Sequence, residues 1–339
     1  MKAVVLEGFG GPEVLKVAEV APPAPGSGQV LIRVAATSVN RPDLMQRQGR
    51  YPPPPGESEV LGLEIAGTIA ALGAGVRGFE VGERVLALVG GGAYAELATA
   101  HAGHVMRIPA TLSFAEAACI CEAYVTAYMN VFMRAKLSQG ESTLIHGGGG
   151  GVGTAAIQLC KALNSTGRVF ATASAAKLAR LANVGADAAI DYKSEDFAAV
   201  VLAATGGRGV DVILDHIGGP TLAANLKALA VNGRLAIIAT MGGREASLDL
   251  TKLMIKRQTI TGSVLRPRPV DEKAAIIAEF ERVVMPLFAA GCVKPIIHEV
   301  YALGEVANAH RAMEANEHFG KIVLAVSAEP VGAASAAIL

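Results

Sequence analysis

Leu144-Ile145-His146-Gly147-Gly148-Gly149-Gly150-Gly151-Val152-Gly153-Thr154 is the stretch on which the fold reading turns. It follows a predicted strand at 142–146 and opens a predicted helix at 152–164. Gly148, Gly150 and Gly153 satisfy a GxGxxG spacing, and Gly148, Gly151 and Gly153 satisfy the related GxxGxG. Glycine is needed here for two reasons. The backbone must turn sharply and let a diphosphate approach with no side chain in the way. The first N–H groups of the helix, with Val152 among them, then face the anion, aided by the helix dipole. Five glycines in a row also raise the chance frequency of such a match, and a flexible loop is the plain alternative. The context decides against it: a strand before, a helix after and further αβ units downstream.

Outward from the loop, strands and helices alternate. Strands are predicted at 142–146, 168–173, 188–191, 210–215, 234–239 and 259–264. Helices are predicted between them at 152–164, 175–184, 195–204, 220–230 and 248–256. Six strands with short connections and intervening helices require a doubly wound parallel sheet. Upstream, residues 2–6, 14–20, 29–37, 64–72 and 84–88 are short β-branched or alternating runs. Gly and Pro punctuate them, notably at Pro22-Pro23-Ala24-Pro25-Gly26, and this texture suits a compact, barrel-like β domain. Ser113 three residues before Glu116 reads as a capping box, with an Ala-rich helix after it and another at about 123–133. Beyond Arg266-Pro267-Arg268-Pro269 the alternation stops. A helical spacing at 271–289, a helix at 306–315 and strands at 296–301 and 321–325 read as a return to the first domain. The expected division is 1–122 with 267–326, then 123–266, with an Ala-rich, poorly ordered tail at 327–339.

Composition narrows the function. The chain has 339 residues, beyond the ~250–300 at which single cores stop growing, so two domains are expected. Lys plus Arg total 30 and Asp plus Glu total 30. With no basic excess, nucleic acid is not an expected partner. Trp is absent and aromatics are scarce, which argues against base stacking. The short apolar run at the N-terminus is broken by Glu7 and Gly8, so no targeting signal is expected. No apolar stretch of ~18 residues escapes Gly, Pro or charge, so no membrane span is expected. A soluble, cytoplasmic protein is the expectation. Cys119, Cys121, Cys160 and Cys292 form neither a disulfide framework nor a zinc ligation pattern, and read as free buried thiols. His101 and His104 lack a third ligand, so no metal is expected. His146 and His216 end strands and read as structural.

The cofactor type follows from the second predicted strand. NAD sites place an acid ~20 residues beyond the loop to hold the ribose diol. Here the chain reads Ala173-Ser174-Ala175-Ala176-Lys177, with no carboxylate. Ser174 offers a hydrogen bond, and Lys177 offers a charge for a 2′-phosphate, with help from Arg180. NADPH is the expected cofactor. The plain alternative is that Lys177 and Arg180 form the solvated face of the next helix.

The chain resembles the zeta-crystallin-like NADPH:quinone oxidoreductases of the medium-chain dehydrogenase/reductase superfamily, stress-inducible members included. The resemblance runs to about Val326. It is carried by Gly10-Gly11-Pro12-Glu13-Val14-Leu15, by Ser38-Val39-Asn40-Arg41-Pro42-Asp43-Leu44-Met45 and by Leu61-Gly62-Leu63-Glu64. Further on it is carried by Gly151-Val152-Gly153-Thr154, by Leu214-Asp215-His216-Ile217-Gly218-Gly219, and by Met313-Glu314-Ala315-Asn316 ahead of Gly320-Lys321-Ile322. It implies a GroES-like β-barrel domain plus a Rossmann domain, with the active site in the cleft between them. It implies Lys177 and Tyr192 as adenosine-phosphate contacts. Ser263, Val264, Leu265, Arg266 and Asn316 become nicotinamide-side contacts, and Ile217 and Met241 further cofactor contacts. Asn40, Tyr51 and Thr126 would line the hydride-transfer site, Thr126 on the cofactor's side. The zinc-using branch carries a Cys, a Gly-His-Glu motif and a further Cys or Asp. Here Asn40 stands in the first region, Leu63 stands where the metal-ligating His would be, and the structural-zinc lobe is absent. One departure concerns the loop: stress-inducible relatives often carry Ser at the position of Gly150, and losing that hydroxyl is expected to widen the loop.

Hydride transfer asks of the protein mainly orientation and electrostatics. The expected reaction passes hydride from NADPH to a quinone without zinc. Asn40 and Tyr51 are the residues expected at the acceptor oxygen, Tyr51 also as a proton relay. Asn40 as a turn residue and Tyr51 packed on a proline loop are the bland alternatives. A rival enzyme reading is an NADPH-dependent enone or alkenal reductase. A rival of another class is a cofactor-binding structural or RNA-binding protein. The resemblance also implies a homodimer or homotetramer, with the edge strand near 259–264 as the contact.

Overall fold

Val210–Asp215 is an unbroken buried run, Val-Asp-Val-Ile-Leu-Asp, with no exposed face. Such a strand is stable only when covered on both sides, as in a parallel sheet between helices. In this computed structural model, which describes residues 1–327, it lies inside a six-stranded parallel sheet. The strands are β1 (Thr143–Ile145), β2 (Val169–Ala173), β3 (Ala188–Asp191), β4 (Val210–Asp215), β5 (Leu229–Ile237) and β6 (Thr259–Gly262). Their order across the sheet is β3-β2-β1-β4-β5-β6, and every pairing is parallel. The order reverses between β1 and β4, which makes the carboxyl ends of those strands the natural place for a ligand. Helix α1 (Gly151–Leu163) follows β1 and buries Ala155, Ala156, Leu159 and Cys160 at helical spacing. Leu144, Phe170, Ile190, Ile213 and Leu235 share one core cluster with Ala198 and Val201 from the helix Phe197–Ala204.

The chain divides into two compact units. One is Thr126–Val264, which holds this sheet; the other is Met1–Val125 with the described residues from Leu265 on. The second unit contains a seven-stranded sheet. Along it run Ile297–Ala302, Lys321–Ala325, Gln29–Val39, Glu64–Leu72, Arg84–Leu88 and Val105–Arg107, and Leu97–His101 also pairs with Gln29–Val39. The C-terminal strand joins this sheet: Ile322 to Ala325 pair antiparallel with Val39 to Ala36. An α/β fold of one β unit and one doubly wound unit is what the alternation required. Of the tail expected at 327–339, residues 328–339 lie outside the described residues.

The structure corrects several local expectations. The helix expected over 220–230 runs only over Leu222–Ala228, because β5 starts at Leu229. An irregularity near its start, with Asn232 at φ +62°, brings Arg234 opposite Val212 and hid that start from a pattern reading. Arg41–Arg47 is a helix that apolar spacing did not announce; Asp43 at its third position accepts a hydrogen bond from the Asn40 N–H at 2.8 Å. Ser113 does cap a helix, but only Phe114–Ala117. The stretch at 271–289 is two helices, Val270–Val283 and Met285–Ala289, divided ahead of Pro286. Leu97–His101 and Val105–Arg107 are strands the sequence reading missed. Cys292 is exposed rather than buried, because it lies in the turn after Met285–Ala289; the other three thiols are buried as expected.

The β unit carries a buried polar chain. The Tyr94 hydroxyl donates to Asp43 at 3.0 Å and lies 3.3 Å from His310 Nε2; Arg47 Nη1 lies 3.4 Å from His310 Nδ1, and Arg47 pairs with Glu314. With Tyr94 donating to Asp43, the consistent tautomer is a neutral His310 protonated on Nε2. Burial, with Arg47 adding repulsion, lowers the His310 pKa from 6.5 to about 3. A base whose folded pKa is depressed contributes stability above its unfolded pKa and loses it as pH falls toward the folded value. Asp43, raised to about 6 mainly by burial, acts in the opposite sense but is displaced less. Relative to that of His310→Gln, the urea midpoint of the protein should therefore fall as pH drops from about 6.5 toward 4. An equal slope in both proteins would refute the assignment.

Candidate functional site

The glycine loop leaves β1 at Ile145 and enters α1 at Gly151. Its shape depends on missing side chains. A Cβ on Gly153 would lie 2.3 Å from the Gly147 carbonyl oxygen and 2.7 Å from the Gly148 Cα. One on Gly148 would meet Ala171 at 2.9 Å and Leu181 at 3.0 Å. Gly147 has φ +56°, and a Cβ there would lie 2.0 Å from His216 Nε2. The loop thus packs backbone on backbone at the start of a helix, which leaves a bare cradle of the kind an anion occupies. Gly150 differs. It is the N-cap of α1 at φ −83° and ψ 173°, and a Cβ there meets only the Gly147 oxygen at 3.5 Å. Space for a serine exists, so the expectation that its loss widens the loop is not supported; what the chain forgoes is a cap.

Beneath the loop runs a relay of buried hydrogen bonds. Asp215, fully buried at the end of β4, accepts from the Ile217 N–H at 2.6 Å, the Thr221 hydroxyl at 2.9 Å and the Asn225 amide at 3.0 Å. Asn225 then presents its oxygen to His146 Nε2 at 2.7 Å, and His146 Nδ1 lies 3.0 Å from the Thr172 hydroxyl. Thr172 in turn accepts from the Gly147 N–H at 3.3 Å. One tautomer satisfies every link: His146 neutral and protonated on Nε2. Burial supports it by lowering the His146 pKa. The relay joins the ends of β1, β2 and β4 to the first amide of the loop. Sequence reading treated His146 as merely structural and missed Thr172 and Asn225; the only available signal was polar residues inside apolar strand ends.

The other residues expected at the cofactor line up along the same rim of the doubly wound unit. Ser174 follows β2 and Lys177 ends the short turn after it; both are partly exposed. Tyr192 follows β3 and is exposed, with its N–H on the Ala173 carbonyl at 3.3 Å. Ile217 follows β4, and Met241 follows β5, its N–H on the His216 carbonyl at 3.0 Å. Asp191, at the end of β3, is engaged in its own turn, accepting from the Ser194 hydroxyl at 2.9 Å. Thr126 lies in the helix Ala123–Tyr128 and Val264 is exposed after β6. Leu265, Arg266 and Asn316 belong to the β unit, so the 263–266 motif straddles the unit boundary. Arg266 is buried and fully committed there: Nε to the Gly90 carbonyl at 2.7 Å, Nη2 to Gln46 at 2.7 Å, and its guanidinium 5.3 Å from the Tyr51 ring centroid. Asn316, in the left-handed conformation at φ +58°, accepts from Arg41 at 2.9 Å.

Within the β unit one expected acceptor residue, Asn40, bonds to a buried acid. Glu64 is fully buried and takes four donors: Ser38 Oγ at 2.5 Å, Asn40 Nδ2 at 3.0 Å, Lys321 Nζ at 2.9 Å and the Glu122 N–H at 2.9 Å. Lys321 Nζ also donates to Asn40 Oδ1 at 2.5 Å. The Asn40 amide is therefore spent inside this cluster, on both its nitrogen and its oxygen. Tyr51 is partly exposed, and its pKa is raised by desolvation and then by nearby Glu122, against the pull of Arg266. Glu122 itself is raised to about 8, by desolvation and then by Glu64. Sequence reading quoted Leu61-Gly62-Leu63-Glu64 and Gly320-Lys321-Ile322 as separate motifs. It had no means of pairing Glu64 with Lys321, and it passed over Glu122.

Residues 26–110 match the family model described as an alcohol dehydrogenase GroES-like domain, and residues 184–324 match one described as a zinc-binding dehydrogenase. A quinone oxidoreductase of Rattus norvegicus is 33% identical over 329 residues, 96% of this chain and 97% of that one. The human synaptic vesicle membrane protein VAT-1 homolog is 32% identical over 96% of this chain and 86% of its own. The crystal structure of the Escherichia coli quinone oxidoreductase complexed with NADPH superposes with a TM-score of 0.85 at 27% identity, covering 96% of this chain and 100% of that one. The chain belongs to the medium-chain dehydrogenase/reductase superfamily, among the relatives of its quinone oxidoreductases. These are oxidoreductases built from a GroES-like unit and a Rossmann unit.

Two substitutions test the loop. Gly153→Ala should destabilise the protein by about 1–3 kcal/mol, because backbone rather than a flexible side chain must move. Gly150→Ser should raise stability by about 0.3 kcal/mol by supplying the absent cap. Equal denaturation midpoints for both variants would contradict the geometry.

Proposed function

We propose that the protein is an NADPH-dependent reductase that delivers hydride to a quinone without zinc. The observation that carries the cofactor assignment is the rim of the doubly wound unit. A bare glycine cradle opens α1, and a turn free of carboxylates, with Ser174 and Lys177, follows the neighbouring strand. The cradle suits a diphosphate, and the turn suits a 2′-phosphate better than a ribose diol. Gly148, Gly150, Gly151, Val152 and Gly153 would hold the diphosphate, and Lys177 and Tyr192 the adenosine end. When bound, the reduced nicotinamide supplies the hydride. The NADPH in the Escherichia coli relative supports the same choice.

The residues that would have to hold zinc do not fit it. Leu63 is aliphatic and buried, and Asn40 is bonded to both Glu64 and Lys321. A dication there would face the Lys321 ammonium in a poorly solvated site, which is strongly unfavourable. Among the described residues, no three His, Cys, Asp or Glu side chains gather as ligands. The reading therefore asks the β unit for orientation and charge alone. Tyr51, partly exposed beside Arg266, is the group that would meet the acceptor. Asn40 would act behind it by fixing Glu64 and Lys321. The proposal includes a cytoplasmic location, while the observation itself is narrower: no described helix is long and apolar enough to cross a membrane.

Metal-stripped protein should oxidise NADPH with phenanthrenequinone at the rate of untreated protein. Lys177→Ala should weaken NADPH binding by roughly tenfold to a hundredfold, the worth of a charged hydrogen bond, and NADH binding far less. Equal losses for the two cofactors would remove the phosphate assignment, and restoration of activity only by zinc would remove the metal-free one.

The proposal extends to a homodimer through the outer edge of β6. That strand ends the sheet, and Leu250, Met254 and Ile255 on the preceding helix are exposed. Sedimentation at micromolar concentration should give twice the chain mass, and a monomer would count against it.

A further inference from the structure

His216 is a side chain that the proposed function leaves unused. It follows Asp215, the last residue of β4, and β4 lies beside β1 at the point where the strand order reverses. A dinucleotide on such a sheet lies across that point, one half on each side. The imidazole reaches the glycine loop there. A Cβ on Gly147 would lie 2.0 Å from His216 Nε2, 2.7 Å from its Cε1 and 3.3 Å from its Cδ2. The ring edge that carries Nε2 therefore occupies the space a side chain at 147 would take, and it borders the bare backbone of the cradle. His216 is only partly buried, whereas His146 is buried within the relay beneath the loop. The backbone on both sides of His216 is tied down. Asp215 accepts from the Ile217 N–H at 2.6 Å, and the His216 carbonyl accepts from the Met241 N–H at 3.0 Å. The backbone that carries the ring is thus fixed ahead of any ligand, which spares the cost of ordering it. All of these groups belong to the doubly wound unit.

We propose that His216 is a cofactor-binding residue whose Nε2–H donates to a diphosphate oxygen of a dinucleotide held in the glycine cradle. The inference rests on the reductase reading above and adds a residue to it. The chemistry suits the ring. Imidazole presents one N–H when neutral and two when charged, so it serves an anion in either state. A phosphate oxygen is a charged acceptor, and a bond to it is stronger than one between neutral partners. The loop amides meet the anion from the start of α1, while His216 meets it from the end of β4, so the bridge is gripped from both sides of the switch point. The 2′-phosphate lies outside this contact. Ser174 and Lys177 follow β2, and β1 stands between β2 and β4 in the sheet. Two strand spacings, about 10 Å, separate the two positions. His216 therefore acts on NADPH and NADH alike, unlike Lys177. A histidine with a purely structural role would instead fill the gap that Gly147 leaves and be indifferent to the cofactor.

Calorimetry on the full chain tests this with NADPH, NADH and adenosine 2′,5′-bisphosphate, which carries the adenosine end without the diphosphate bridge. His216→Ala should weaken NADPH and NADH by equal factors of about tenfold to a hundredfold, the worth of a hydrogen bond to a charged group, and leave the bisphosphate unchanged. Lys177→Ala should instead weaken NADPH and the bisphosphate and spare NADH. His216→Phe keeps a ring against Gly147 but has no N–H, and should lose as much dinucleotide affinity as His216→Ala. A further measurement uses the unaltered protein and is independent of how the variants fold. In NMR spectra of protein labelled at its histidine ring nitrogens, the signal that His216→Phe removes should shift when NADPH is added. Unchanged dinucleotide affinity in both folded variants overturns the contact, as does a signal that stays in place. Affinity lost in His216→Ala but kept in His216→Phe also overturns it, because only packing is then at stake. In each of these cases NADPH binding by the unaltered protein leaves the reductase reading standing. Failure of the unaltered protein to bind either dinucleotide overturns the cofactor reading, and this inference with it.

Discussion

A carboxylate buried completely has to be satisfied completely, and Glu64 imposes that condition on the β unit. Its four donors come from three places in the chain: Ser38 and Asn40 at the end of Gln29–Val39, Glu122 before a helix and Lys321 at the start of the last strand. Removing any one leaves a buried charge short of a partner, which costs more than the bond itself. The cluster therefore does more than hold a charge. It pins the C-terminal return against the strand it pairs with, since Ile322 lies opposite Val39 one residue from both Lys321 and Asn40. It also holds the Glu122 backbone and decides that Asn40 faces inward.

The doubly wound unit solves a similar problem by a different route. Asp215 is its fully buried acid, and its partners are mostly backbone amides and neutral side chains: Ile217, Gly218, Thr221 and Asn225. From there the polarity passes through His146 and Thr172 to Gly147. Asn225, His146 and Thr172 each have one donor and one acceptor role assigned, between the accepting Asp215 and the donating Gly147 N–H, which fixes the loop. Preorganisation of this kind spares a binding site the cost of ordering itself. The two units thus divide the chemistry. On the proposed function, one offers shaped backbone for phosphate, and the other offers a set of side chains for an acceptor.

Legibility in the sequence followed the range of the interaction. The parallel sheet was readable because each strand carries its own apolar run and each helix its own spacing, both local properties. The glycine loop was readable because the backbone conformation selects the residue type at once. The start of β5 and the helix Arg41–Arg47 were not, since an irregular pairing and a polar helix face leave no periodic trace. Among the site residues, Ser174, Lys177, Tyr192, Ile217 and Met241 share one rim, as expected for residues that follow successive parallel strands. Arg266 and Asn40 were assigned ligand-facing roles that their side chains, spent on Gln46 and Gly90 or on Glu64 and Lys321, do not have room to fill directly.

By itself the sequence determined the alternation of strands and helices, the glycine bend and the lack of an acid after the second strand of the sheet. These are matters of backbone freedom and side-chain pattern within some 20 residues. Only the tertiary structure decided which charges meet: that Glu64 takes Lys321 from 257 positions away, and that Glu122 is left without a cation. Coulomb interaction and desolvation depend on distance in space and on exclusion of water, and neither quantity is written along the chain.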